Sequence, residues 1–326
     1  MLFGIVVFAG LLLYGDVRSV GKDLREFRWE LMPVILLVTL GNYLLRFVKW
    51  EYYLRQIGVA GLRRGDSFLI YFSGLGMTVT PGKIGEWLKS YLLKEVHGTP
   101  VTKSAPILIA ERLTDSLGLL IIALAGVFVF GAEYWPIVFG ILTVAVAVIG
   151  IMRHRPLARA LVARLHHVPV ARNYVPHFEE LYESTYVLME PRGIVLMTGL
   201  SVASWFFEVL AFYFTLIGLG VSGGGDTLFK AAFILPIATV LGAVIPTPGG
   251  LGVAETGITS LSQKLLEMSK GAATAGTLIV RLATLWFGVG LGLVMFAVLT
   301  HRLARQGKLL EAAPEPALAA GPDAAG

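Results

Sequence analysis

Two of the most apolar regions of this chain are broken by proline and glycine at the same short motif. Lipid offers no hydrogen-bond partner to a broken backbone, so a stretch such as "IPTPGGLGVAE", Ile245 to Glu255, is not a plain lipid-facing helix. The breaks must be buried in protein or line a wet cavity. A chain built this way is expected to be an all-α polytopic membrane protein.

Composition agrees. Of the 326 residues 56% are hydrophobic and 15% charged, against roughly 45–50% and about 25% in soluble domains. The net charge is +5, but Lys and Arg gather in short segments beside apolar runs, where they mark topology next to anionic lipid rather than nucleic-acid binding. The absence of cysteine excludes disulfides, thiolate metal sites and cysteine nucleophiles. HExxH, G-x-S-x-G and P-loop motifs are absent, and the histidines gather mainly between His154 and His177, in a basic loop. The expectation is a protein that is not an enzyme and carries no metal or cofactor.

Six spans are expected: Leu2–Tyr14, Leu31 to about Tyr53, Ile109–Phe130, Trp135–Met152, Ile194–Leu219 and Thr277–Leu299. The first is short for a crossing and reads as tilted or truncated; it has no basic leader and no small-x-small cleavage pattern. Short loops rich in Lys and Arg mark the cytoplasmic side. "RHRPLARALVARLHHVPVAR" and "HRLARQGK" are such segments, whereas "GAEYW" and "GLGVSGGGD" hold neither residue. Both termini are therefore expected in the cytoplasm of a multi-pass protein of the cell inner (plasma) membrane. A basic cytoplasmic loop is expected over 153–192 and a disordered Ala/Pro-rich tail over 303–326. The stretch Asp16–Glu30 fits least well, because it puts four basic residues outside, together with four acidic ones.

About Asp66–Lys103 and about Leu228–Lys270 fit neither a span nor a loop and read as re-entrant hairpins. "TVTPGKIGEWLKS" in the first and "VIPTPGGLGVAETG" in the second share Thr-Pro-Gly, a Gly three residues after the first Gly, then Glu. Arg112 follows Pro81 by 31 residues and Arg281 follows Pro248 by 33, each at the start of a span. The expected architecture is about six transmembrane helices plus two re-entrant hairpins arranged as an inverted repeat. Its halves, about 1–130 and 135–302, are joined outside and form one domain over 1–302. Interrupted segments in corresponding positions of inverted halves point to a transporter-like site near the midplane.

The motifs supply the candidate site. Pro81, Gly82, Pro248, Gly249 and Gly250 turn the backbone, and Gly85 and Gly252 permit close approach of a helix or a ligand. A helix beginning after each turn offers amides and a positive dipole end to an anionic phosphate. Glu86 and Glu255 either carry protons or cap their own helices. Arg112 and Asp115 share a helical neighbourhood with Glu111; Arg46 and Lys49 share a face with Asn42, and either form a cationic rim or snorkel to the interface. Glu208 lies well within the fifth span, and Arg281, Arg112 or a hairpin amide is its expected partner.

"NYLLRFVKWEYYLRQIGV", "YFSGLGMTVTPGKIGEWLKSYLL", "ERLTDSLGLL" and "IPTPGGLGVAETG" followed by "VRLATLWFGVGLGL" resemble the lysylphosphatidylglycerol synthase transmembrane-region family, the flippase-like domain proteins, across nearly the whole chain. The resemblance implies a bacterial or archaeal inner-membrane protein related to the part of aminoacyl-phospholipid synthases that moves modified lipid between leaflets. It carries over to the candidate residues above other than Asn42, Glu111 and Glu208, and to Trp50. No aminoacyltransferase portion follows, so lysyl-phosphatidylglycerol is only one candidate cargo. Thr284 stands where a repeat of Asp115 would lie, so the two half-sites differ chemically. The expected function is lipid translocation, moving a phospholipid or polyprenyl-phosphate-linked lipid with an anionic headgroup between leaflets. The alternative is a membrane accessory subunit of a lipid- or glycan-modifying enzyme, and a permease for water-soluble solutes is a third possibility. The expected partners are membrane lipids and, on the alternative reading, such an enzyme.

Overall fold

The computed structural model describes residues 2–80, 85, 87–130, 135–136, 139–140, 142–143, 147, 150, 184–244, 247 and 250–305. Eleven α-helices are named here: α1 Leu2–Tyr14, α2 Val17–Glu26, α3 Met32–Gln56, α4 Arg64–Leu75, α5 Leu88–His97, α6 Val101–Phe130, α7 Pro191–Gly218, α8 Gly225–Val244, α9 Val253–Leu266, α10 Lys270–Arg281 and α11 Phe287–Arg305. A single π turn, Leu282–Trp286, joins α10 to α11. Among the described residues, four helical segments are long and apolar enough to cross a membrane: Trp29–Gln56, Pro191–Gly218, Gly225–Ala243 and Lys270–Arg305. Of the expected span Trp135–Met152 only residues 135–136, 139–140, 142–143, 147 and 150 are described, and the greater part of the loop 153–192 and residues 306–326 of the tail lie outside the described residues.

Local chemistry sets the helix limits. Pro stands in the first turn of α3 and of α7, where its missing N–H costs nothing. Both helices end on the same device. Past α3, the amides of Ile57, Gly58 and Val59 bond Tyr53, Arg55 and Leu54 carbonyls; past α7, those of Leu219, Gly220 and Val221 bond Thr215, Ile217 and Leu216. Gly58 and Gly220 have φ of +74° and +86°, a backbone conformation that glycine adopts at no steric cost. They lie 162 residues apart, the interval that also separates Asn42 from Ser204. An Asp then enters the first turn of the next helix in each half, Asp66 in α4 and Asp226 in α8.

The repeat continues in the packing. The α3–α7 pair is the central contact, α4 packs on α11 as α8 packs on α6, and α5 lies against α4 and α6 as α9 lies against α8 and α10. Arg112 and Gly118 are six residues apart in α6, while Arg281 and Gly288 are seven apart. The π turn between the latter pair accommodates that extra residue. Gly118 then meets α7 at Ser201, and Gly288 meets α3 at Tyr43.

Several boundaries differ from the sequence expectation. Asp16–Glu30 is not an open loop: α2 occupies most of it, buries Val20 and lies against α10, so Arg18, Lys22, Arg25 and Glu26 sit on the outer face of a docked helix while Asp23 faces Gly271 of α10. The third span starts at Val101 rather than Ile109, and the last starts at Lys270. Helix α11 runs through Arg305, three residues into the expected tail. The second interrupted segment has one long arm, α8 with 20 residues, and a shorter one, α9 with 14.

Apolar side chains face outward as well as inward: Leu37, Val195, Leu196 and Val294 are exposed, while Asn42, Lys49, Asp115, Ser201, Glu255 and Arg281 are buried. That distribution suits lipid, where helix association relies on small residues and polar contacts rather than on burying oil-like surface. The closest crossing is α4 on α11, where a Cβ on Gly292 would lie 2.1 Å from the Gly76 nitrogen. Backbone cannot yield as a side chain would. Gly292→Leu is therefore expected to lower the unfolding midpoint of the purified protein, at a cost of about 1–3 kcal/mol or more. Gly290→Leu, whose Cβ meets nothing within 4 Å, should leave that midpoint nearly unchanged.

Candidate functional site

Helix periodicity puts Asn42, Arg46 and Lys49 on one side of α3, and this side meets α6 and α7. The Lys49 ammonium is 1% exposed and 2.6 Å from Asp115 Oδ1. It also donates to Ser201 Oγ at 2.7 Å and to the Glu111 carbonyl at 3.2 Å. Ser201 donates to Asp115 Oδ1 at 3.0 Å, and Arg46 Nη2 reaches Asp115 Oδ2 at 2.9 Å. One carboxylate thus holds two cations and ties three helices together. The Arg46 guanidinium also lies 5.2 Å from the Trp205 ring centre.

Each hairpin contributes a second ion pair. On α5, Lys89 Nζ lies 2.6 Å from Glu111 and over the rings of Trp50 and Tyr71 at 4.9 and 5.2 Å. On α9, Glu255 is fully buried, bonds Arg281 Nε at 2.5 Å through Oε1 and accepts the Gly252 amide at 2.6 Å through Oε2. Gly252 has φ +86° and begins α9, so Glu255 caps its own helix. The amide that the sequence offered to an anion is occupied by this carboxylate. In the first hairpin, the Gly85 amide bonds Thr80 Oγ at 2.7 Å, and a Cβ there would lie 2.4 Å from that of Met77. That tight turn requires glycine.

Between the halves lies a cavity of about 130 Å³, lined from α3, both hairpins, α6, α7, α10 and the π turn. Arg46, Lys89, Arg112 and Arg281 supply its cations, Asp115 and Glu208 its carboxylates, and Tyr43, Tyr71 and Trp205 its aromatic wall. Glu111 and Glu255 stand behind the lining. The positive groups therefore face the space while two of their counter-charges are set back from it.

Of the candidate residues, Arg46, Arg112, Asp115, Glu208, Gly250 and Arg281 are brought together around this cavity. Lys49 is not on its wall; it is sealed behind and holds Asp115 in place. Gly85, Gly252 and Glu255 shape the hairpins. Pro81, Gly82, Glu86, Pro248 and Gly249 lie outside the described residues. Of the expected partners of Glu208, Arg281 lies close enough for its charge to act on it, while the hydrogen-bonding neighbours among the described residues are the Asn42 amide at 3.4 Å and Thr284. Sequence reasoning did not single out Lys89, Trp205, Tyr43 or Tyr71. The spacing from Trp205 to Glu208, three residues, places that pair on one face of α7 and was the available signal for Trp205.

Comparison with known proteins agrees with this architecture. The family described as "Lysylphosphatidylglycerol synthase TM region" matches residues 1–292, and the chain belongs to it. A curated relative, "Glycosyltransferase AglD" of Haloferax volcanii, is 23% identical over 319 residues, covering 86% of this chain and 50% of that protein. The chain thus spans about half the length of this relative.

Breaking the buried pair is a direct test of the site's framework. Asp115→Asn leaves Lys49 charged and sealed from water, and is expected to cost about 3–5 kcal/mol. The unfolding midpoint should fall, and adding Lys49→Met to the same chain should restore much of the loss.

Proposed function

We propose that this member of the lysylphosphatidylglycerol synthase TM region family is a lipid translocase that carries an anionic headgroup through the cavity between its two halves. The observation that carries this reading is the lining itself: four cationic side chains, contributed from both halves, face one cavity among helices long enough to cross a bilayer. A charge at membrane depth is costly unless it is paired or serves a passing ligand, and clustered guanidinium groups suit a phosphate. The acyl tails stay in lipid while the headgroup crosses, and the two halves alternate in opening to either side. The basic loops support a cytoplasmic membrane location with both termini in the cytoplasm. A phospholipid or a polyprenyl-phosphate-linked lipid fits the same chemistry.

A second reading has one specific observation in its favour. The named relative is a glycosyltransferase of which this chain matches half, so the chain could serve as membrane partner to a lipid- or glycan-modifying enzyme.

Proteoliposomes holding fluorescent phosphatidylglycerol, or a fluorescent polyprenyl phosphate, separate these readings. Dithionite added outside bleaches only the outer-leaflet label. Protein should make the inner-leaflet label accessible, and Arg46→Ala should slow that exchange at least tenfold while eluting as a folded protein. Exchange no faster than in protein-free vesicles, with either lipid, would sink the translocase reading in favour of the accessory role.

A further inference from the structure

Among the carboxylates gathered at the site, Glu208 differs from the rest. Asp115, Glu111 and Glu255 each sit within 2.9 Å of a cationic nitrogen. Glu208 instead has neutral hydrogen-bonding neighbours, the Asn42 amide and Thr284. It stands in the middle of α7, far from either helix end, yet it is open to the cavity. The charged and titratable groups around it are Arg46 and Tyr43 from α3, Asp115 from α6 and Arg281 from α10. Among the cavity-lining residues, α8 adds none.

Its neighbours suit a carboxylic acid as well as a carboxylate. Asn42 gives its amide hydrogens to the Ser204 carbonyl at 2.8 Å and to Glu208, but its carboxamide oxygen is buried with no hydrogen-bond partner among the described residues. Thr284 has its hydroxyl 2.8 Å from the Val280 carbonyl and also beside Glu208, so it can donate to a carboxylate or, with its proton on Val280, accept from a carboxylic acid. A protonated Glu208 carries one O–H, which one such acceptor can take. An ionised Glu208 balances the nearby Arg46 and Arg281 charges.

We propose that Glu208 is the proton-binding site that couples passage of an anionic headgroup to proton movement. This rests on the translocase reading above and adds its energy coupling. A headgroup phosphate that engages Arg46 and Arg281 brings negative charge beside Glu208 and withdraws the cations that favour its ionised form. Glu208 then takes one proton from water on the side to which the cavity is open. After reorientation the headgroup leaves, the arginines again favour the carboxylate, and the proton passes to water on the other side. A singly charged headgroup and one proton cross together with no net charge. By linkage, headgroup affinity rises as pH falls, by up to about tenfold per pH unit while one proton is taken up.

The test uses the full-length protein in detergent, weakly buffered with a pH-indicator dye, and titrated with short-chain phosphatidylglycerol. Binding is followed separately by calorimetry. Wild type is expected to take up as much as one proton per bound lipid and to bind more tightly at lower pH. Glu208→Gln, which keeps the shape, should bind without proton uptake and with pH-independent affinity. Should that variant fail to fold, Thr284→Val, which removes one acceptor, is expected to weaken the pH dependence. Binding by wild type with no proton uptake, or uptake that persists in Glu208→Gln, overturns the proposal and leaves the lipid reading intact. No binding of phosphatidylglycerol at any pH overturns the lipid reading and this proposal together.

Discussion

The structure depends on a carboxylate that lipid cannot solvate. Asp115 is buried between two cations, Arg46 and Lys49, with Ser201 as a third partner. An ionised side chain is tolerated there only because its charge is met from neighbouring helices. In return, α3, α6 and α7 are fixed relative to each other at the level of the cavity. Removing either member leaves its partner charged and sealed, which is why such a pair specifies the arrangement more than it strengthens it. The hairpins follow the same rule on a smaller scale: Lys89 with Glu111, and Arg281 with Glu255, each dock a short helix against a long one. The charges that define the site are thus also those that assemble it.

Glycine does the complementary work. Where no hydrophobic force distinguishes protein from lipid, helices gain from approaching until backbones touch. Gly292 on Gly76 and Gly118 on Ser201 are such approaches, and Gly288 leaves room for the Tyr43 side chain. They bring the hairpins and the long helices close enough for side chains of ordinary length to reach the cavity. The π turn at Leu282–Trp286 belongs to the same geometry, since it falls between Arg281, which lines the cavity, and Gly288, which sits against α3.

Much of this was legible in the sequence, for physical reasons that can be named. Broken apolar segments, a duplicated Thr-Pro-Gly motif and matched arginines led to an all-α membrane protein and to Arg46, Arg112, Asp115, Glu208 and Arg281, all of which line one cavity. A clearer trace of the repeat was missed: "IGV" at 57–59 and "LGV" at 219–221, each followed by Gly-Asp, mark the two identical helix ends. What could not be read were contacts between distant elements. Spacing along α3 puts Lys49 and Arg46 on one side, but only packing decides that the first is sealed and the second meets the cavity. Glu255 offered a choice between two roles, and only the Arg281 and Gly252 contacts show it bound as a cap.

The equal interval from Gly58 to Gly220 and from Arg46 to Glu208 makes the last two residues equivalents in the repeat, one on each of the paired central helices. Had the two halves been separate copies of a single sequence, these positions would carry the same residue and place like charges across the axis. Two arginines would repel, and so would two glutamates. A continuous chain, whose halves drift independently, can set a base against an acid at these equivalent positions. Duplication followed by fusion would therefore have done more than double a helix bundle: it made an asymmetric centre available to a symmetric fold.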